Sequence, residues 1–141
     1  MSSSGEGGAA DSEETTAQAE TSGETSCGCA KTALVLLTDT LGQGDLDLGR
    51  KLMLGFLRTT LDTSPRPWRL VLLNHGVRLA AVDEVAVDVL NLLVEAGVEV
   101  MACGTCLEHL GLTDRLRAGR VTNMFEIVET LNEAAKVISI G

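Results

Sequence analysis

The chain is poor in aromatic residues: its 141 residues include no Tyr, one Trp and two Phe. A core of this composition must be aliphatic, and short Leu and Val runs are typical of strands buried on both faces of a parallel sheet. No apolar run approaches the ~18 residues of a membrane span, and the N-terminus lacks the basic and apolar regions of a signal peptide. We therefore expect a soluble, cytoplasmic protein without a membrane partner.

Basic residues are absent from the first thirty positions, which hold six acids. Of the 20 acidic and 11 basic residues in the chain, 14 acids and all 11 bases therefore fall in residues 31–141, a net charge of −3. Neither part offers the basic surface that a nucleic acid requires. Residues 1–30 are rich in Ser, Gly, Thr and Glu, which predicts a disordered acidic tail or linker. Residues 31–141 are long enough for one folded domain.

In that domain, short apolar runs alternate with segments that have apolar residues at helical spacing. Strands are predicted at 33–37, 69–73, 98–102, near 121 and at 136–140, with helices at 45–61, 83–97, up to about 110, and 123–135. This order is typical of a parallel α/β sheet with right-handed crossovers. Ligands and reactive groups collect beyond the carboxyl ends of such strands. We therefore expect the turns at 39–45, 74–76, 103–106 and 122–124 to converge on one edge.

The strand at 98–102 runs into Cys103-Gly104-Thr105-Cys106. Two residues of separation suit a nucleophilic thiol pair, a dithiol that cycles to a disulfide, or half of a metal site. A strand-to-helix turn predicts exposed cysteines, with the thiolate favoured by backbone N–H groups and the helix dipole. The alternative is two buried cysteines that act as small apolar residues.

Other motifs are weaker. Cys27 and Cys29 could complete a four-cysteine zinc site with the second pair, but they lie on a predicted flexible segment and 73 residues stand between Cys29 and Cys103, so we predict no metal site. The Gly-Gln-Gly turn at 42–44 lacks the remaining residues of a phosphate loop, and no cofactor is predicted. His75 follows a predicted strand and would be placed to assist thiol deprotonation, although a lone loop histidine is more often a surface residue. The same holds for His109.

Six short blocks stand in order along residues 33–140. They are Leu-Thr-Asp-Thr-Leu-Gly-Gln-Gly-Asp at 37–45, Gly49 with Leu-Met-Leu-Gly-Phe at 52–56, Asn-His-Gly-Val at 74–77, Ala-Cys-Gly-Thr-Cys-Leu at 102–107, Gly-Leu at 111–112 and Gly-Arg-Val-Thr-Asn-Met at 119–124. Together they resemble the DsrE-like sulfur-carrier family, in particular the DsrE-like domain of YedF-type proteins associated with selenium metabolism.

The resemblance implies a three-layer α/β/α sandwich around a mainly parallel, about five-stranded sheet, and assembly into homo- or hetero-oligomers. It also implies a strand-end cysteine that carries sulfur as a persulfide, which here is Cys103, with Cys106 as a second thiol. The partners would be sulfur-donor or acceptor proteins of the TusA-like or cysteine desulfurase type. The chain departs from YedF-type proteins in two ways: its first thirty residues contain no TusA-like Cys-Pro motif, and His75 stands where a small residue such as Ser is expected.

The predicted function is a sulfurtransferase-like relay that accepts sulfane sulfur, or selenium, on Cys103 and resolves it with Cys106. Asn74, Thr105 and Asn123 are the predicted hydrogen-bonding partners of the persulfide. One alternative is a dithiol redox protein or sensor that uses the same cysteines. The other is a non-catalytic binding subunit of a homo-oligomer, since spare apolar helix surface in a small domain favours symmetric assembly.

Overall fold

The computed structural model describes residues 30–141, so the predicted tail up to residue 29, with Cys27 and Cys29, lies outside the described residues. Strands and helices alternate as the apolar pattern predicts. Their bounds are β1 Thr32–Leu36, α1 Leu46–Asp62, β2 Arg69–Leu72, a 3₁₀ helix Asn74–Ala80, α2 Glu84–Glu95, β3 Glu99–Cys103, α3 Gly104–His109, a short 3₁₀ helix Thr113–Arg115, β4 Arg120–Thr122, α4 Met124–Glu133 and β5 Lys136–Ile140.

The five strands form one sheet in the order β4-β3-β2-β1-β5, and all neighbouring pairs are parallel. The register aligns their carboxyl ends: Leu36 of β1 pairs with Leu72 of β2 and with Ile140 of β5. At the other side of the sheet, Cys103 of β3 pairs with Thr122 of β4. The turns that follow β1 to β4 therefore lie along one edge, which confirms the predicted topology.

Helices cover both faces of the sheet. Helices α1 and α2 pack against each other, and right-handed crossovers place both on one face. Helix α4 crosses the opposite face on its way from β4 to β5. There, Arg69 Nη1 of β2 donates a hydrogen bond to Thr130 Oγ1 of α4 at 2.6 Å. The predicted three-layer α/β/α sandwich is confirmed.

The core is aliphatic, and its helix faces differ in detail from the predicted stripes. Helix α1 buries Met53 and Leu57, whereas Leu48 and Leu52, predicted on the same stripe, are exposed. In α2, Val87 and Leu92 lie outside the apolar stripe, a pattern from which the sequence predicts a second apolar face against another subunit. Val87 does not belong to such a face, because it is 2% exposed and packs in the core of its own chain, whereas Leu92 is 48% exposed. A helix that packs against a wide sheet buries residues on both sides of its central apolar stripe.

The 3₁₀ helix Asn74–Ala80 was not predicted, and it passes directly over the end of β1. A Cβ atom added to the buried Gly76 would lie 2.2 Å from the carbonyl oxygen of Leu36. Only glycine allows this close approach of the two backbones. The glycine thereby determines where Asn74 and His75 lie at the carboxyl edge of the sheet.

Candidate functional site

The Cys-Gly-Thr-Cys segment forms the junction between β3 and α3. Cys103 is both the last residue of β3 and the N-cap of α3, and Gly104 is the first helical residue. A Cβ at Gly104 would lie 3.2 Å from Val121 Cγ1 and 3.3 Å from the carbonyl oxygen of Thr122. The small residue therefore lets the turn pack against the neighbouring strand β4.

Cys103 points into the protein. Its side chain belongs to the core cluster and the residue is 1% exposed. The predicted exposure of this thiol is therefore wrong. The residue ends a central strand and pairs with Thr122 on one side, so its surroundings are those of the sheet and not of the turn. The role of Cys103 as the sulfur carrier stays a prediction.

Cys106 is the accessible thiol of the pair. The residue is partly exposed, and its sulfur accepts a hydrogen bond from the backbone N–H of Asn74 with an N···S distance of 3.1 Å. Asn74 lies at the start of the 3₁₀ helix with φ of 54°, a left-handed conformation that Asn adopts more readily than most residues. The sequence predicts that backbone N–H groups of the cysteines' own strand-to-helix turn contact the thiol. The N–H that contacts Cys106 belongs instead to Asn74, in the turn after β2.

Burial raises the pKa of the Cys106 thiol above its ordinary value. The hydrogen bond from Asn74 lowers this pKa, but the side chain of Cys103 beside it raises it further. The predicted depression of the thiol pKa is therefore wrong for Cys106. Helix α3 has only six residues, and Cys106 lies inside it at the third position.

A cavity of about 410 Å³ opens above Cys106, within the size range of small-ligand sites. Four of the six predicted site residues line it: Asn74, His75, Thr105 and Cys106. The two further lining residues, His109 and Leu110, were not in the predicted site. Their spacing of three and four residues from Cys106 places them on the same side of α3, and this was the signal that could have identified them.

Asn123 does not line this cavity. Its side chain caps α4 by accepting a hydrogen bond from Glu126 N at 2.9 Å, as the capping-box pattern Asn-Met-Phe-Glu at 123–126 predicts. The carboxylate of Glu126 does not complete a capping box, however. It pairs with the guanidinium of Arg120 and accepts a hydrogen bond from the hydroxyl of Thr122. Asn123 is therefore placed as a helix cap and not as a ligand of the thiols.

Arg120 joins two carboxylates across the sheet. Its Nε donates to Glu99 Oε2 at 2.9 Å, and its Nη1 donates to Glu126 Oε1 at 2.9 Å. The hydrogen bonds from Arg120 hold the pKa of Glu126 at about 2, and those to Glu126 and Glu99 raise the pKa of Arg120. A larger cavity, about 570 Å³, lies beside Glu99 and Arg120 at the opposite end of β3, and neither cysteine nor histidine lines it. Of these two cavities, only the smaller is lined by a cysteine.

No group of three or more His, Cys, Asp or Glu side chains in residues 30–141 is arranged to hold a metal ion. Cys27 and Cys29, which a four-cysteine zinc site would also require, lie outside the described residues. Over the same residues, no helix has both the length and the apolar character that a membrane crossing requires.

Comparison with known proteins identifies the fold. No protein-family model matches the chain, and no curated protein matches its sequence. Among solved structures it is similar to the ychN protein from E. coli, with 19% identity, a TM-score of 0.58 and coverage of 79% of this chain and 99% of that one.

Two further solved structures, both of proteins of unknown function, share the same arrangement. One is BT1422 from Bacteroides thetaiotaomicron, with 18% identity, a TM-score of 0.58 and coverage of 78% of this chain and 95% of that one. The other is MTH1491 from Methanobacterium thermoautotrophicum, with 20% identity, a TM-score of 0.58 and coverage of 78% and 98%. At these identities the likeness shows a shared five-stranded α/β fold.

Proposed function

We propose that the chain is a DsrE-like sulfur carrier in which Cys103 and Cys106 accept sulfane sulfur and pass it on. The observation that carries this proposal is the pair of reduced, adjacent thiols, of which Cys106 opens on a cavity at the carboxyl edge of the sheet. The sequence blocks that resemble the DsrE-like family support the same function.

The reaction is a transpersulfidation. A cysteine thiolate attacks the outer sulfur of a donor persulfide R–S–SH, the S–S bond of the donor breaks, and the donor leaves as R–S⁻, which takes up a proton. The product is a protein persulfide, and the overall number of thiols and persulfides is unchanged. The step needs an accessible thiol and a proton acceptor, and it needs no metal or nucleotide.

The lining of the cavity suits this chemistry. None of its six lining residues carries a carboxylate, and the backbone N–H of Asn74 already points at the sulfur of Cys106. His75 and His109 are the two lining side chains that carry an imidazole. No lining carboxylate therefore repels the negative charge of a thiolate or a persulfide anion at Cys106, although burial raises the pKa of its thiol.

A dithiol redox protein or sensor is the second candidate function. It is favoured by the side-chain contact of Cys103 with Cys106, since two adjacent thiols at this spacing are suited to a disulfide. The two functions differ in the product: a carrier gains one sulfur atom, whereas a redox pair loses two hydrogens.

Partners and assembly belong to the same proposal. The donor and acceptor would be TusA-like or cysteine desulfurase-type proteins, and the chain would act as a cytoplasmic homo-oligomer. Exposed apolar residues on α4, with Phe125 at 74% exposure beside Met124 and Val128, support assembly. Selenium in place of sulfur rests only on the resemblance to YedF-type proteins.

Intact mass spectrometry of the reduced protein tests the proposal. Cys27 and Cys29 would also react, so both are first replaced by Ser, and this Cys27→Ser/Cys29→Ser protein serves as the reference. The reference is incubated with glutathione persulfide, and separately with glutathione selenopersulfide. We expect a gain of one sulfur atom that disappears when Cys103 and Cys106 are both replaced by Ala.

A mass loss of two hydrogens without added sulfur would replace the carrier function with the redox function. No change in mass under either donor would contradict both. Comparison of the sulfur and selenium donors shows which element is loaded.

A further inference from the structure

We propose that Cys106, and not the strand-end Cys103, is the thiol that takes sulfur from the external donor, and that Cys103 receives it second, from Cys106. This inference rests on the proposed carrier function. It reverses the order of the two thiols that the sequence resemblance implies, in which Cys103 accepts the sulfur first.

Access decides the first step. A thiolate attacks a persulfide along the S–S axis, so the donor group R must extend away from the attacked sulfur on the far side. Cys103 is 1% exposed and surrounded by core side chains, which leaves no room for R. Cys106 is partly exposed and lines a cavity of about 410 Å³, which accommodates a donor of the size of a small peptide persulfide.

The polar groups around Cys106 support the same order. The Asn74 N–H donates to its sulfur at 3.1 Å, and His75 and His109 line the same cavity. Cys103 is the other titratable group in contact with Cys106. When Cys106 attacks, the N–H of Asn74 stabilises the thiolate in the partly desolvated site, and the proton that the thiol has lost goes to the departing R–S⁻.

Proximity decides the second step. The thiolate of Cys103 attacks the outer sulfur of the Cys106 persulfide, the bond between that sulfur and Cys106 Sγ breaks, and Cys106 leaves as a thiolate. The proton that Cys103 loses goes to Cys106, so no oxidant or reductant is consumed. Sulfur on Cys103 is then shielded from solvent, because that side chain lies in the core.

The test uses the full chain with Cys27→Ser and Cys29→Ser as reference, and glutathione persulfide as donor. Uptake of sulfur is followed by intact mass over time, and the loaded cysteine is located by peptide mapping. We expect Cys106→Ala to slow uptake by at least about tenfold. Cys103→Ala should still take up one sulfur atom, located on Cys106. Glu108→Ala, on an exposed residue of α3 that does not line the cavity, is the matched control.

Cyanide, which removes the outer sulfur of an accessible persulfide as thiocyanate, tests the second step. Sulfur on the reference protein should be released at least about tenfold more slowly than sulfur on the Cys103→Ala protein, because burial protects it. Equal release rates would overturn the internal transfer. Unfolding curves of each variant, followed by Trp68 fluorescence, show that the substitution has not disrupted the fold.

The outcomes separate this inference from the function on which it rests. If the reference takes up sulfur and Cys106→Ala takes it up equally fast on Cys103, the order of the thiols is wrong and the carrier function stands. If the reference takes up no sulfur, the carrier function itself is wrong. Alkylation with iodoacetamide gives a further readout without any sulfur donor: Cys106 should react faster than Cys103, and the reverse would contradict the access argument.

Discussion

Replacement of Gly76 by Ala is expected to destabilise the domain and to disturb the thiol site together. The added Cβ would lie 2.2 Å from the carbonyl oxygen and 3.0 Å from the carbonyl carbon of Leu36. Because both atoms belong to the backbone of a buried strand, no side-chain rotation relieves the overlap. The 3₁₀ helix Asn74–Ala80 would have to move by about 1 Å, and such overpacking costs about 1–3 kcal/mol.

The same carbonyl accepts a hydrogen bond from Leu73 N at 3.0 Å, and its weakening adds about 1 kcal/mol. We therefore expect a loss of about 2–4 kcal/mol in the free energy of unfolding. Urea titration measures it, with Trp68 as the probe, since Lys31 Nζ and Arg69 Cζ lie 4.5 and 4.4 Å from the centroid of its ring. The chain has no other Trp.

The matched control is Gly55→Ala. Gly55 lies inside α1 with nothing within 4 Å of an added Cβ, so this change should stabilise the domain by about 0.5–1 kcal/mol. In the Cys27→Ser/Cys29→Ser protein, Gly76→Ala should also slow alkylation of Cys106, because the N–H of Asn74 moves away from the Cys106 sulfur. If Gly76→Ala matches the reference or Gly55→Ala in stability, the packing argument for this turn is refuted.

Two further predictions concern pH. The pKa of Glu126 is about 2 in the folded protein, below its ordinary value of 4.5, so its carboxylate contributes stability above pH 4.5 that is lost as the pH falls towards 2. Urea midpoints should therefore fall through this range and depend less on pH in Glu126→Gln; an identical pH dependence in the two proteins would contradict the pairing with Arg120. Burial raises the pKa of Cys106 above its ordinary value of 9.0, so in the protein without Cys27 and Cys29 its alkylation rate should reach half-maximum above that pH. Cys103→Ala should lower this midpoint, and a midpoint below 9.0 in the reference would exclude the burial argument.

The fold could be predicted from local pattern to within a few residues. Short aliphatic runs alternate with helical spacing, and Asp45 and Asn123 cap the helices that they precede. The exceptions are positions where a residue's environment depends on a distant element. The backbone of Leu36 determines the path of the 3₁₀ helix at Gly76, and no spacing in residues 74–80 indicates it. Likewise, Val87 is buried because the chain covers it, although its helical phase suggests exposure.

The sequence by itself determined that two thiols lie at the carboxyl end of a parallel strand, because strand, turn and helix signals are local. It also indicated that Asn74 and His75 would lie at the same edge, since parallel strands align their ends. Only the tertiary structure decided which thiol is reachable and which N–H contacts it. Burial of Cys103 depends on neighbouring strands and helices, and the hydrogen bond from Asn74 to Cys106 joins residues 32 positions apart. Solvent access and long-range hydrogen bonds arise from packing, and a local pattern of residues does not encode them.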